Sequence, residues 1–204
     1  MKQRTLVVVS AGLSQPSSTR LLADQLSATA GGAAADLGVQ LDIRVIELRD
    51  LAHDLMNHLL TGFPPGPLKQ ALDTVESADA LIAVTPIFNA SYSGLFKSFF
   101  DVLPKEALMD KPVLIAATGG TSRHSLALDH ALRPMFAYLQ AVTVPTSVFA
   151  ASEDWGGDES EGQLRGRINR AAAELAREID RREPVSVQDP FALTTSFEEL
   201  LAGS

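Results

Sequence analysis

The chain contains no cysteine in 204 residues. That excludes disulfides, a thiolate nucleophile, and zinc or iron–sulfur centres held by sulfur. It also lacks any run of lysine and arginine, and its formal net charge is −8. A nucleic-acid partner is therefore not expected, because binding a phosphate backbone requires clustered cations. No apolar stretch approaches the ~20 residues of a membrane span. The first apolar run, Thr5–Val9, is five residues long, below the length of a signal-peptide core. No membrane association and a cytoplasmic location are the resulting expectations. Histidine is sparse and badly spaced for a metal. His53 and His58 are five apart, and His124 and His130 are six apart, whereas a helical metal pair is spaced by four. Nowhere does G-x-G-x-x-G or G-x-x-x-x-G-K-[ST] occur, which argues against a dinucleotide fingerprint and a nucleoside-triphosphate loop. The segment Ala90–Gly94, "ASYSG", lacks the first glycine of a nucleophile elbow.

What is present suits one globular unit. Hydrophobic residues make up 46% and charged residues 21% of the chain, as in soluble domains, and the length matches a single domain. Apolar, β-branched runs at Thr5–Ser10, Leu41–Leu48, Ala80–Thr85, Pro112–Thr118 and Val142–Phe149 read as strands. Their continuous Val/Ile/Leu character indicates burial on both faces. Helical patterns fall between them at Ser18–Asp36, Leu51–Leu60, Pro67–Ser77, Gly94–Leu103 and Arg123–Gln140, with a further one near Gly162–Arg182. Gly31-Gly32 is expected to end the first helix near Ala30. The alternation predicts an α/β fold with a doubly wound, five-stranded parallel sheet in the order 2-1-3-4-5 and helices on both faces. Residues 1–183 form the expected domain and 184–204 a C-terminal tail.

Three polar loops follow three of these strands, and in a parallel sheet all emerge at the carboxyl edge, where α/β folds bind ligands. The first, "SAGLSQPSSTR", runs from Ser10 to Arg20. Ser17 or Ser18 is a natural N-cap there. A helix N-terminus binds phosphate through free N–H groups and the macrodipole. Ser14, Ser17, Ser18 and Thr19 add hydroxyls and Arg20 a charge, more than a plain cap requires. The second, Thr85–Gly94, carries Pro86, which is expected to end its strand. Ile87, Phe88 and Tyr92 supply apolar and aromatic surface, and Asn89 and Ser91 supply polar groups. In the third, Thr118–His124, Gly119, Gly120 and Thr121 permit close approach of backbone to a ligand. The same glycines equally suit a turn with geometry alone as its purpose. Arg123 and His124 are better suited to a ligand or partner than to the core. Together the loops fit a planar, phosphorylated ligand with a polar edge, such as FMN.

These segments resemble the NAD(P)H-dependent FMN reductases, and within them the branch serving alkanesulfonate-type two-component monooxygenases. The resemblance spans about Thr5 to Ala150 and rests on "TPIFNASYSGLFKSFFDVLP", "ATGGTSRHSLALDHALRPMFAYL" and "GLSQPSSTRLLAD". It implies a flavodoxin-like fold, FMN and NAD(P)H as cofactors, and hydride transfer from NAD(P)H to FMN. It also implies a homodimer or dimer of dimers, with reduced flavin passed to a flavin-dependent monooxygenase. Carried over residue by residue, Ser14, Ser17, Ser18, Thr19 and Arg20 align with phosphate contacts. Pro86, Phe88, Asn89, Ser91 and Tyr92 align with the segment beside the flavin ring, and Gly119, Gly120 and Thr121 with the loop at its polar edge. One departure is His130, where some relatives carry tyrosine in an irregular helix. The rival readings are a quinone, azo-dye or chromate reductase that keeps its FMN, and a flavodoxin-type electron carrier with no enzymatic activity. The segments Leu95–Leu103 and Arg123–Gln140 could serve as a dimer face or as ordinary core helices.

Overall fold

The computed structural model describes residues 1–156 and 158–185; the expected tail lies almost wholly outside them. Strands β1 (Lys2–Ser10), β2 (Val39–Glu47), β3 (Ala80–Phe88) and β5 (Pro112–Gly119) form a parallel sheet in the order β2-β1-β3-β5. A short β4 (Ser91–Tyr92) folds back antiparallel on β3. Beyond β5 lie β6 (Val142–Thr143) and β7 (Val148–Ala151), both parallel to it. The helices are α1 (Ser18–Asp36), α2 (Ala52–Thr61), α3 (Gly66–Glu76), α4 (Gly94–Asp101), α5 (Arg133–Tyr138) and α6 (Asp158–Asp180).

Strand periodicity of two divides the core into two layers. Leu6 and Val8 of β1 face a cluster with Leu22 and Leu26 of α1 and Leu175 of α6. Val7 and Val9 face the opposite cluster, with Leu55 of α2, Phe96 of α4 and Phe136 of α5. Phe96, Phe99 and Phe100 are buried, so these three rings of the α4 stripe belong to the core. Phe100 and Phe136 meet edge-on at 5.0 Å between ring centroids, a favoured aromatic geometry.

Three expectations about the elements need correction. Among the described residues the sheet has seven strands and not five, because the last expected strand is divided and β4 is added. Pro145, which lacks an N–H, falls in the gap between β6 and β7. The backbone of the gap is held from the side: Thr146 N–H and Oγ1 donate to the Glu174 carboxylate at 2.7 and 2.8 Å. Arg133 donates to Thr143 Oγ1, Val144 O and Pro145 O at 3.0, 3.2 and 3.2 Å. The expected helix Arg123–Gln140 is likewise broken into a 3-10 turn at Ser122–His124, a π-helical turn at Leu128–Leu132 and then α5. Pro134 cannot donate the bond that would continue the α-helical ladder, which accounts for the irregular turn before it. His130 lies in that turn and is exposed. Finally, α1 passes through Gly31-Gly32 to Asp36. Ala30 and Ala34 are buried against the sheet, and that packing, with the alanine-rich last turn, outweighs about 1 kcal/mol per helical glycine.

Candidate functional site

Ser10 is the last residue of β1, and its buried hydroxyl has no hydrogen-bond partner among the described residues. The chain then loops over Ala11–Pro16 into α1. Ser17 is the N-cap: its Oγ accepts from Arg20 N–H at 3.2 Å. The loop is tight at Gly12, where a β-carbon would stand 2.1 Å from Ser17 Oγ and 3.1 Å from Thr19 Cβ. Only glycine lets the backbone cross the cap so closely.

The first and third loops are tied together. The buried hydroxyls of Thr19 and Thr118 bond at 2.8 Å. Thr118 pairs in turn with Pro86 across β5 and β3, so the three segments share one edge. Pro86 does not end β3, contrary to expectation. Pairing with β1 stops at Val84, so the missing N–H of Pro86 costs nothing on that side. β3 continues to Phe88 and turns back through Asn89 and Ala90 into β4. Asn89 and Ala90 have φ of 48° and 68°, as in a two-residue type I′ hairpin. Thr85 Oγ1 accepts from Ser93 N–H at 3.1 Å, and Ser93 caps α4 through Phe96 N–H at 3.2 Å. An alanine held left-handed costs about 1 kcal/mol. Ala90→Gly is therefore expected to raise unfolding free energy by ~0.5–1 kcal/mol in urea titrations; a loss of stability would contradict the hairpin geometry.

These constraints shape a cavity of about 360 Å³ lined by the expected residues Ser14, Ser18, Thr19, Pro86, Ile87, Phe88, Thr118, Gly119 and Gly120. The other expected residues stand around it in different roles. Ser17 caps α1. Thr121 Oγ1 accepts from Arg123 N–H at 3.4 Å, and His124 is exposed. Asn89 forms the hairpin tip, and Ser91 pairs with Phe88. The Tyr92 ring lies 6.0 Å from that of Phe96. Arg20 is turned to two carboxylates, bonding Asp24 at 2.8 Å and also Glu47. Its pKa is raised, first by the hydrogen bond to Asp24, with burial opposing and Glu47 adding. The pull on an anion at this loop thus comes from N–H groups, hydroxyls and the α1 dipole.

Leu13 and Ser152 also line the cavity and were not anticipated. Ser152 follows the last residue of β7, and its one sequence signal is position, just past the carboxyl end of the neighbouring strand. The arrangement can hold an anion at the α1 end and a flat ring between Pro86–Phe88 and Thr118–Gly120. Its donors are N–H and O–H groups, and no metal-holding cluster of His, Asp or Glu occurs among the described residues.

Residues 4–156 match a family model described as NADPH-dependent FMN reductase. The chain is 42% identical to an FMN reductase (NADPH) of Pseudomonas aeruginosa over 84% of this chain and 90% of that protein. It is 41% identical to the NADH-dependent FMN reductase SfnE of Pseudomonas putida, over 84% and 89%. Among solved structures, an oxidoreductase from Corynebacterium diphtheriae superposes with a TM-score of 0.86 at 48% identity, covering 90% of this chain and all of that one. The apo form of an NADH:FMN oxidoreductase (EMOB) gives 0.71 at 33% identity, covering 89% and 97%.

Proposed function

The chain belongs to the NADPH-dependent FMN reductase family and is an NAD(P)H-dependent flavin reductase; from that premise we propose how its residues serve the reaction. FMN, when held in this cavity, would supply the redox chemistry as the acceptor of a hydride from NAD(P)H. The residues fit such a group. Gly12 clears the backbone over the α1 N-terminus, and Ser14 and Ser18 stand beside free N–H donors for the phosphate. Phe88, nearly half exposed, and Pro86 offer a flat apolar flank for the ring. Gly119 and Gly120 let peptide groups approach its polar edge. Hydride transfer asks for no side-chain acid or base. The chain contributes position and orientation, worth several kcal/mol of a barrier.

The observation that carries the reading is the Thr19–Thr118 bond at 2.8 Å, which draws a phosphate-type loop and a ring-type loop onto one cavity. The supporting experiment measures NADH and NADPH oxidation with FMN, FAD, riboflavin and no flavin. Turnover should require flavin, and riboflavin should show a KM at least tenfold above that of FMN, because it lacks the phosphate. Equal KM values would remove the role given to Ser14–Thr19. Saturable dependence on free FMN separates this activity from a quinone or azo-dye reductase.

The same reading assigns the chain to the alkanesulfonate-monooxygenase-type branch, acting in the cytoplasm as a homodimer or dimer of dimers. It delivers reduced flavin to a flavin-dependent monooxygenase, and residues 1–183 act as one domain. The relatives named SfnE and SfnF support the branch.

A further inference from the structure

The carboxyl edge of the sheet holds a second cavity of about 500 Å³, within the ~300–1,000 Å³ usual for ligand sites. Its place follows from strand order. The phosphate-type loop leaves β1, the ring-type segments leave β3 and β5, and this cavity lies beside β7, past the ring end. The two cavities are lined by neighbouring residues of the same two loops. Gly120 lines the first and Ser122 the second; Ser152 lines the first and Glu153 the second. Phe149 stands between them: it lines the second cavity, and its Cζ would meet a methyl on Gly119 at 2.8 Å.

A pyridine nucleotide that presents its nicotinamide to the ring must place its adenosine end within reach, and this cavity adjoins the Gly119–Gly120 end of the first. Phe149 gives it an apolar wall. Its charges are Asp129, Glu153 and Asp154 against Arg167. Arg167 is committed, donating to Phe149 O at 3.3 Å and Asp154 Oδ1 at 3.2 Å. Asp154 also accepts from Ala151 N–H at 2.7 Å, and Asp129 is bonded by Arg133 at 3.2 Å. Glu153 is exposed and makes no side-chain ion pair among the described residues.

We propose that this cavity receives the adenosine ribose of the pyridine nucleotide, and that Glu153 selects NADH over NADPH. A carboxylate accepts hydrogen bonds from ribose hydroxyls. A 2′-phosphate, with about −1.5 to −2 charges at neutral pH, meets three carboxylates and an arginine already engaged. Relatives named for NADPH and for NADH both occur, so membership of the family leaves the choice to local residues.

The inference rests on the reductase reading, and two readouts test it. One is the ratio of kcat/KM for NADH and NADPH at saturating FMN. The other is calorimetric titration of the flavin-free protein with 5′-ADP and with 2′,5′-ADP, which involves no turnover. The wild type should favour NADH at least tenfold and bind 5′-ADP the more tightly. Glu153→Arg, at an exposed position, should move both ratios at least tenfold toward the phosphorylated form, with FMN affinity and thermal midpoint unchanged. Glu153→Gln should move them part of the way. Ratios that stay put in both variants overturn the inference while flavin-dependent oxidation continues. If neither nucleotide is oxidised in the presence of FMN, the reductase reading falls and takes the inference with it.

Discussion

Gly12→Ala should lower FMN affinity by roughly 10- to 100-fold and cost the fold about 1–3 kcal/mol, the usual range for forcing atoms into a packed site. The added methyl would stand 2.1 Å from Ser17 Oγ and 3.1 Å from Thr19 Cβ. Ser17 must leave its capping position, which itself costs about 1 kcal/mol. The N–H groups proposed to hold the phosphate then lose their alignment, and each 1.4 kcal/mol lost is about tenfold in affinity. Flavin fluorescence titration reads the first effect and urea denaturation the second. Adding Ser17→Gly to the variant removes the nearest clash and should restore part of the stability, though not the cap. Unchanged FMN affinity in Gly12→Ala would dissociate this loop from the phosphate.

A comparable effect is expected from Lys111, through pH. Its side chain is buried, and its ammonium donates to Val75 O and to Glu76 O, the latter at 2.9 Å, at the carboxyl end of α3. Burial is the dominant influence and lowers its pKa from 10.5 to about 8, with Glu76 and Asp79 opposing. Because the folded pKa lies below the unfolded one, the unfolded chain binds more protons between about pH 8 and pH 10.5. Stability therefore rises with pH across that window. The fall from 10.5 to about 8 corresponds to a rise of about 3 kcal/mol across the window. Lys111→Met keeps the apolar stem and removes the titrating group. Urea titrations at pH 7.5, 9 and 10 should show the rise in wild type and its loss in the variant. Parallel curves for the two proteins would show that the ammonium is not desolvated as its position implies.

The sheet and the three loops were legible because their signals are local. Uninterrupted Val/Ile/Leu runs gave β1, β3 and β5, and hydroxyl-rich segments immediately after them marked the edge. What was missed depends on proline or on contacts between distant segments. Leu128, Leu132 and Phe136 repeat every four residues and read as one regular helix, yet Pro134 breaks the ladder. Val142–Phe149 read as one strand, yet Pro145 divides it. The hairpin at Asn89–Ala90 carries no Asn-Gly signature, so its left-handed turn was invisible. The engagement of Arg20 was readable only in half: Asp24 follows it by four residues on the same helix, whereas Glu47 lies on β2, twenty-seven residues away. Ser152 gave no compositional cue at all. The carboxyl-edge convergence itself was readable from strand order; which residues face inward was readable only in part.

The hydroxyl pair Thr19–Thr118 joins positions ninety-nine residues apart. On the proposed site neither half of the chain owns a complete binding surface, so a fragment or folding intermediate lacking either α1 or β5 is expected to bind no flavin. Occupancy is then coupled to completion of the whole sheet, and ligand in excess stabilises the finished molecule alone. Yellow colour retained through purification would thus serve as a reporter of global folding as well as of binding.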